Sequence, residues 1–202
     1  MGKCTDSTTL YDDINFCSGQ KSMPGVRSHI YGVSRRDIIG YPTIDRSKAK
    51  ELAKIAVYDG NFALAADKYW HKLALVPNDG EIKTENQGSY GSKTFKNTAT
   101  VNLPGTEEEV TGYISEVNND EMLYLVPQRN GKYRLLGSEA FTPELKLSQS
   151  SGKSTTDANQ TTLEISADDE YAAPFYPGEI LTSDGVISGA TGRPVTDTSV
   201  TE

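Results

Sequence analysis

Short apolar segments that alternate with polar residues, separated by turn-forming residues, make up most of the chain. This period of two is typical of β-strands. It predicts a Thr-rich strand over residues 94–103 with Phe95 pointing inward, and a fully buried strand over residues 122–126, which are all apolar. Further strands are predicted at residues 29–33, 145–147 and 161–165, the last two joined by a loop over residues 148–159.

One hairpin has an unambiguous turn signal. Asn130-Gly131 follows the strand at 122–126 and precedes Tyr133, Leu135 and Leu136. Asn-Gly favours the tight turns in which both central residues adopt positive φ, so the two flanking strands are expected to pair antiparallel.

Residues 106–117 carry the clearest helical pattern in the chain. Thr106 is expected to be the N-cap and Glu109, three residues later, to complete a capping box. Three consecutive glutamates fall in the first turn, where the helix dipole favours negative charge. One apolar face is expected to pack on the sheet, made of Val110, Tyr113, Ile114 and Val117.

The region between residues 37 and 76 has a less definite pattern. Pro42 keeps residues 37–44 extended but outside a central strand. Residues 47–57 fit either a helix or the start of a strand. Residues 54–76 fit a hairpin turning at Asp59-Gly60, or two strands separated by a bulge.

The two ends of the chain are poor in apolar residues. We therefore divide it into an N-terminal arm (1–27), a β domain (28–182) and a C-terminal arm (183–202). A turn is expected in the first arm at Met23-Pro24-Gly25. The Thr-, Ser- and Gly-rich second arm has the composition of a disordered segment.

Composition narrows the classes of function. Apolar residues make up 36% of the 202, and the mean hydropathy is −0.52, both low for a globular protein. Much of the chain is thus expected to face water or a partner. The net charge of −8 argues against a protein that grips nucleic acid, because phosphates are bound by an excess of Lys and Arg.

The cysteines and histidines predict no metal site, and the first residues of the sequence predict no secretion signal. Cys4 and Cys17 cannot form a disulfide framework, and together with His29 and His71 they match no metal-ligand spacing. The start MGKCTDSTTL lacks the apolar core of a signal peptide, and Asp6 stands where a myristoylation signal requires Ser or Thr. We expect folding in a reducing cytoplasm, without membrane insertion.

Three short sequence patterns resemble functional motifs but do not match them fully. Gly152-Lys153-Ser154-Thr155 ends like a phosphate-binding loop, but Leu147 occupies the position of the first glycine, so a hairpin tip is expected. Successive side chains of the acidic run 168–170 point to opposite faces of a strand, and a solvated turn is expected there. His71 has no evident Ser or Asp partner. We predict no catalytic, cofactor-binding or metal-binding residue.

Several blocks, in this order, resemble the tail tube proteins of tailed bacteriophages. The resemblance spans residues 28–181 and rests on block order and spacing. The blocks are 57–62 (VYDGNF) with 65–70 (AADKYW), 85–90 (ENQGSY), 117–120 (VNND), 130–138 (NGKYRLLGS), and the strand 161–166 leading to 172–180 (AAPFYPGEI).

The resemblance implies a β-barrel or sandwich flanked by one helix, with six copies per ring and rings stacked into a tube. Such a tube belongs to the virion tail, is assembled in the host cytoplasm, and conducts the genome to the host. Implied partners are further copies of the chain and other tail or head–tail proteins, with genomic DNA as a passenger that is not bound. The lumen is accordingly expected to be negative or neutral.

Two other classes of function remain open at this stage. A head–tail adaptor, a tail terminator or a capsid decoration protein has the same acidic, β-rich profile without a cofactor. These are distinguished by assembly, since only a tube subunit polymerises without limit. An enzyme is the remaining alternative.

Overall fold

The computed structural model describes residues 22–49 and 51–195, together with residues 14, 18 and 19. Cys4, Cys17 and most of the expected N-terminal arm lie outside the described residues. Within the described part, the fold is mainly β with a single α-helix, α1 (Glu108–Val117). Short 3₁₀ helices occupy Arg35–Asp37, Arg46–Lys48 and Leu52–Lys54.

Thirteen strands are present in the described residues. They are β1 (His29–Ser34), β2 (Ile38–Gly40), β3 (Ala63–Leu64), β4 (His71–Ala74), β5 (Gly80–Gln87), β6 (Thr94–Pro104), β7 (Met122–Pro127), β8 (Tyr133–Leu136), β9 (Glu144–Ser150), β10 (Gln160–Asp169), β11 (Phe175–Tyr176), β12 (Glu179–Thr182) and β13 (Gly185–Ser188).

Two antiparallel sheets pack face to face, and neither closes into a barrel. One has five strands in the order β11-β8-β7-β1-β4, and the other has four in the order β5-β6-β10-β9. Ile30, Tyr124 and Val126 of the first meet Val101 and Ile165 of the second in one buried cluster. The expected sandwich is therefore the observed architecture.

The five-stranded sheet is buried on both faces, which explains the uninterrupted apolar sequence of β7. Its second face carries Tyr31, Leu125 and Leu135. A covering layer, formed by residues 38–70 and 175–195, packs on that face through side chains such as Phe62 and Trp70. Only the four-stranded sheet keeps a face without such a layer among the described residues.

The apolar face of α1 is confirmed for Val110, Tyr113 and Val117, whereas Ile114 is half-buried and outside both buried clusters, and the predicted cap is wrong. Val117 is buried, and Val110 and Tyr113 pack against the cluster between the sheets. Tyr113 also lies 3.0 Å from the hydroxyl of Tyr124. The helix begins two residues later than predicted, after Glu107, whose side chain forms no capping hydrogen bond. The packing of α1, rather than a capping box, thus fixes its position.

Replacing Thr106 with Ala is accordingly expected to change the free energy of unfolding by less than ~0.5 kcal/mol, since no cap is lost. A capping threonine would lose about 1 kcal/mol. Val117→Ala serves as the positive control, with an expected loss of about 2 kcal/mol from buried methyl groups. Urea denaturation measures both, and a Thr106→Ala loss near 1 kcal/mol would restore the capping box.

Pairing confirms several predicted strands. β7 and β8 form the hairpin expected at Asn130-Gly131, although only Gly131, with φ +93°, has the positive φ expected of both residues. β9 and β10 pair with Leu147 opposite Leu163 and Leu145 opposite Ile165. β6 matches the predicted Thr-rich strand, although Phe95 is only half-buried.

The hairpin predicted over residues 54–76 is wrong, and so is its alternative of two adjacent strands. Asp59 pairs with Thr43 instead, β3 pairs with β2, and β4 pairs with β1. The described residues of 47–57 form short 3₁₀ turns and an isolated bridge from Val57 to Phe175, and so neither the helix nor the strand considered. These partners lie far apart in sequence, so local periodicity did not reveal them.

The described residues 183–195, assigned from composition to the C-terminal arm, pack against the β domain. β13 pairs with β12, Ile187 packs against the second buried cluster, and the Gly189 carbonyl accepts a hydrogen bond from the Tyr133 amide at 3.1 Å. At the other end, Val26 is buried and bridges to Gln128. Both segments extend the folded domain.

Deleting residues 184–202 is therefore expected to destabilise the domain, by about 2–4 kcal/mol, through loss of the β12–β13 ladder and of Ile187 packing. Deleting only residues 196–202 is the control, because it leaves the β12–β13 ladder and Ile187 in place. Thermal melts of the two truncations test this, and equal stabilities would contradict the packing of β13.

Candidate assembly surface

The outward face of the four-stranded sheet is a regular polar surface. Ile82, Val101, Leu163 and Leu145 point toward the core cluster, so the residues alternating with them point away from it. The outward set is rich in Thr and charge. It comprises Glu81, Lys83, Glu85, Lys96, Thr98, Thr100, Asn102, Glu144, Lys146, Ser148, Thr162, Glu164, Ser166 and Asp168.

Charges on this face are mixed, with a small acidic excess. Five of the outward residues are carboxylates and three are lysines, giving a net charge of −2. Two ion pairs are present, Lys83–Glu85 at 2.6 Å and Lys146–Glu164 at 3.4 Å. The Gln87 amide also donates to Asp168 at 2.8 Å. The face therefore offers no cluster of unpaired cations to a polyanion.

Both edges of this sheet are long and open. β5 contributes eight residues to one edge and β9 seven to the other, and most of their side chains are exposed. Among the described residues, neither strand pairs with a further strand on its outer side. Proteins ordinarily protect such edges with proline, bulges, very short strands or charged side chains. Both strands carry charged side chains, among them Lys83 and Lys146. Neither strand contains proline or a register shift.

The edges of the five-stranded sheet contrast with these. β4 has four residues and β11 only two. A short edge presents few unpaired amides and carbonyls to another chain. The four-stranded sheet is thus the part of the fold best suited to strand pairing with another copy.

Its two hairpin tips lie at opposite ends, because β5 and β9 run in opposite directions. The β5–β6 tip carries Tyr90, whose side chain is 99% exposed. At the β9–β10 tip, the backbone amides of Lys153 and Ser154 each donate to the Asp157 carboxylate at 2.9 Å. These donors hold the pKa of Asp157 below its usual value. They are therefore not offered to a phosphate, which agrees with a hairpin tip.

The acidic run 168–170 does not form a cluster. Asp168 and Glu170 are exposed, whereas Asp169 is 5% exposed and accepts a hydrogen bond from the Tyr171 amide at 3.0 Å. Burial raises the pKa of Asp169. The alternation of facing is as predicted, but β10 extends through Asp169, so the segment is a strand end rather than a solvated turn.

Two clefts lie away from the polar face. One, of about 250 Å³, is lined by Tyr41, Tyr58, Phe62, Phe141 and Asp169, among others, and its described lining has no His, Cys or Lys. The other, of about 440 Å³, includes Arg27, His29 and Arg129. The second cleft also contains Ser28 next to His29, but the hydrogen bond described for the His29 side chain is to the Tyr133 hydroxyl. His71 is exposed on β4 beside Tyr69, at 5.3 Å between ring centres.

The protonation of His29, in the second cleft, is expected to make the stability of the fold depend on pH. Its Nε2 lies 3.1 Å from the Tyr133 hydroxyl, and burial, then Lys72 and Arg27, lower its pKa to about 4. Between pH ~6.5 and ~4 the unfolded chain binds a proton that the folded chain does not, so stability is expected to fall as the pH falls through this range.

His29→Gln is expected to flatten this dependence. The raised pKa of Asp169 acts in the opposite direction, so the slope of the variant is compared with that of the wild-type protein by urea titration at each pH. Identical slopes in the two proteins would contradict the role of His29.

Two features that would bear on function are absent from the described residues, namely a cluster of metal ligands and a membrane-spanning helix. In the part of the chain that the structure describes, no three His, Cys, Asp or Glu side chains gather as metal ligands would. No described helix has the length and apolar character that a bilayer span requires.

Sequence reasoning missed β5, which forms half of the exposed edge. Its only large apolar residue is Ile82, so residues 81–87 read as a polar loop. The pattern that could have identified β5 is the alternation of polar and apolar residues around Ile82, followed by a turn at Gln87-Gly88 and the strand from Thr94.

Comparisons of the chain with protein-family models, with curated proteins and with solved structures find no match.

Proposed function

We propose that this chain is a structural subunit that assembles edge to edge into rings, and that the rings stack into the tail tube of a tailed bacteriophage. The observation that carries the proposal is the four-stranded sheet, which combines two long open edges with a polar face that no described segment covers. The resemblance of residues 28–181 to tail tube proteins supplies the identity of the assembly.

The even number of strands favours closed rings. Successive strands alternate in direction, so β5 and β9 at the two edges run antiparallel. When copies are related by rotation about one axis, β5 of each copy meets β9 of the next in antiparallel orientation. The ladder then continues without interruption through heterologous contacts, and it ends only when the ring closes.

The dimensions suit a conduit. Six copies of four strands, spaced ~4.8 Å apart and tilted by ~36°, give a closed sheet about 45 Å across at the backbone. The polar face lines its interior, and the five-stranded sheet, the covering layer and α1 lie outside it. Such a lumen is wide enough for a DNA duplex.

The charge of this lining suits passage rather than binding. Each phosphate that Lys or Arg neutralises adds favourable counterion release, and repetition over many rings would hold the genome in place. A net charge of −2 per copy, with Lys83 and Lys146 paired to glutamates, avoids this retention. The proposed role is therefore non-enzymatic, in the virion tail, with DNA as a transient passenger.

A tail terminator or head–tail adaptor is the second candidate, because a single ring uses the same edges. The exposed Tyr90 at one end of the sheet favours stacking, since it gives each ring an aromatic contact for the next. A capsid decoration protein has no need of open edges in one sheet.

Electron microscopy of the purified chain tests the proposal, combined with analytical ultracentrifugation over a range of protein and salt concentrations. Stacked rings or tubes of variable length are expected. Single rings that never stack would favour the terminator or adaptor. A monomer that persists at high concentration under every salt condition would overturn the assembly.

A further inference from the structure

The polar and apolar faces of the sheet restrict how two copies can pair. Ile82 on β5 and Leu145 and Leu147 on β9 pack toward the core, whereas Lys83 and Lys146 point outward. A slip of one residue at the junction would bring core-facing side chains opposite outward-facing ones. The allowed registers therefore differ by steps of two residues.

Charge separates these registers. Without stagger, Glu81 faces the neighbouring copy's Lys146 and Lys83 faces its Glu144. A shift of two residues instead opposes Lys83 to Lys146 and Glu85 to Glu144, two repulsive pairs. A shift in the other direction opposes Glu81 to Glu144 and leaves little overlap.

A shift of four residues removes the repulsion again. Glu85 then faces the neighbouring copy's Lys146, and Gln87 faces its Glu144. All seven residues of β9 lie alongside residues 81–87 of β5, so the ladder is longer than in the unstaggered register. A shift of six residues opposes no like charges, but it makes no ion pair, because Glu85 then faces Ser148 and Lys146 faces Gln87. Attraction between charges thus favours two candidates, one unstaggered and one shifted by four.

Barrel geometry decides between them. Within one copy, Glu81, Thr100, Glu164 and Lys146 lie directly opposite one another on the four successive strands, so β5 and β9 have no offset along the strand direction. An unstaggered junction would therefore close a ring of untilted strands, whereas closed sheets have strands tilted by about 35–45°. A shift of four residues for every four strands is one residue per strand, the ratio found in eight-stranded barrels with a tilt of ~36°.

We infer that the copies join in this single staggered register, with Glu85 of one copy facing Lys146 of the next. The inference rests on the proposed function, and its partner is a second copy of the same chain. Because Lys83 already pairs with Glu85 and Glu164 with Lys146, the junction joins two ion pairs into one network across the lumen face.

Charge reversal tests the register. Lys146→Glu is expected to raise the critical concentration for assembly about fivefold at low salt, through loss of attraction and added repulsion. Adding Glu85→Lys is expected to restore assembly. Adding Glu81→Lys instead is the matched control and is expected not to restore it. Melting of the unassembled variants checks that each remains folded.

Cross-linking gives the second readout, in a protein whose Cys4 and Cys17 are replaced by Ser. Glu85→Cys with Lys146→Cys is expected to form a covalent ladder of copies on oxidation, and Glu81→Cys with Lys146→Cys is not. If the protein assembles but rescue or cross-linking occurs through Glu81, or through neither residue, the staggered register is wrong. The proposed assembly into a tube would still stand. Failure of the wild-type protein to assemble overturns the proposed function and the register with it.

Discussion

A proline in the exposed edge of β5 is expected to abolish assembly without unfolding the subunit. Along an antiparallel edge strand, the amides of successive residues point alternately to the partner strand and to the open side. Of Lys83→Pro and Thr84→Pro, one therefore removes an outward amide and leaves the backbone ladder between β5 and β6 whole, although its side-chain contact with Glu85 or Asn97 is lost. That variant is expected to melt like the wild-type subunit.

Its assembly is expected to fail, because the proline ring occupies the side on which the next copy must pair. Sedimentation velocity measures the loss. His71→Pro and Lys72→Pro are the matched controls on β4, an exposed edge of the five-stranded sheet, and the one that melts normally is expected to assemble. A folded β5 variant that assembles like the wild type would rule out this edge as the junction.

Trp70→Ala is expected to lower the free energy of unfolding by about 3–5 kcal/mol. Trp70 is 1% exposed, packs edge-on against Phe62 at 5.3 Å between ring centres, and donates its backbone amide to the Leu181 carbonyl at 2.8 Å. It thus joins both parts of the covering layer to the five-stranded sheet. Truncation leaves a large cavity at this junction.

Tyr69→Ala is the matched control one residue away. Tyr69 is 38% exposed, and its ring contact is with the exposed His71, so a loss below ~1 kcal/mol is expected. Urea denaturation of the two variants measures the difference. Similar losses would mean that the covering layer does not depend on Trp70.

Apolar periodicity was sufficient for the elements that bury a complete face. β7, the hairpin at Asn130-Gly131, the β9–β10 pair and the apolar face of α1 follow from local sequence, because burial fixes which residues are apolar. The resemblance to tail tube proteins implied either a barrel or a sandwich, and local sequence does not distinguish the two.

Elements fixed by distant partners could not be predicted in this way. Asp59 pairs with Thr43 rather than turning a local hairpin. Pairing of β13 with β12 and packing of Ile187 hold a segment whose composition is that of a disordered tail. The start of α1 is set by packing, although Thr106 and Glu109 match a capping box. Each case is a tertiary contact that overrides a local preference.

The candidate assembly surface was even harder to predict from the sequence than these elements. The net charge of −8 gives no location, and the edge strand β5 is polar because only Ile82 of its large side chains reaches the core. The acidic excess on the outward face, and the opposition of Glu85 to Lys146, emerge only once the register of four strands is known.

Hydrogen–deuterium exchange of free and assembled protein tests the central claim most directly, because it reads the backbone amides of both edges at once. The account predicts that β5 and β9 gain strong protection on assembly, while β4 exchanges as it does in the free subunit. Unchanged exchange in β5 and β9 within an assembled sample would contradict pairing of these edges.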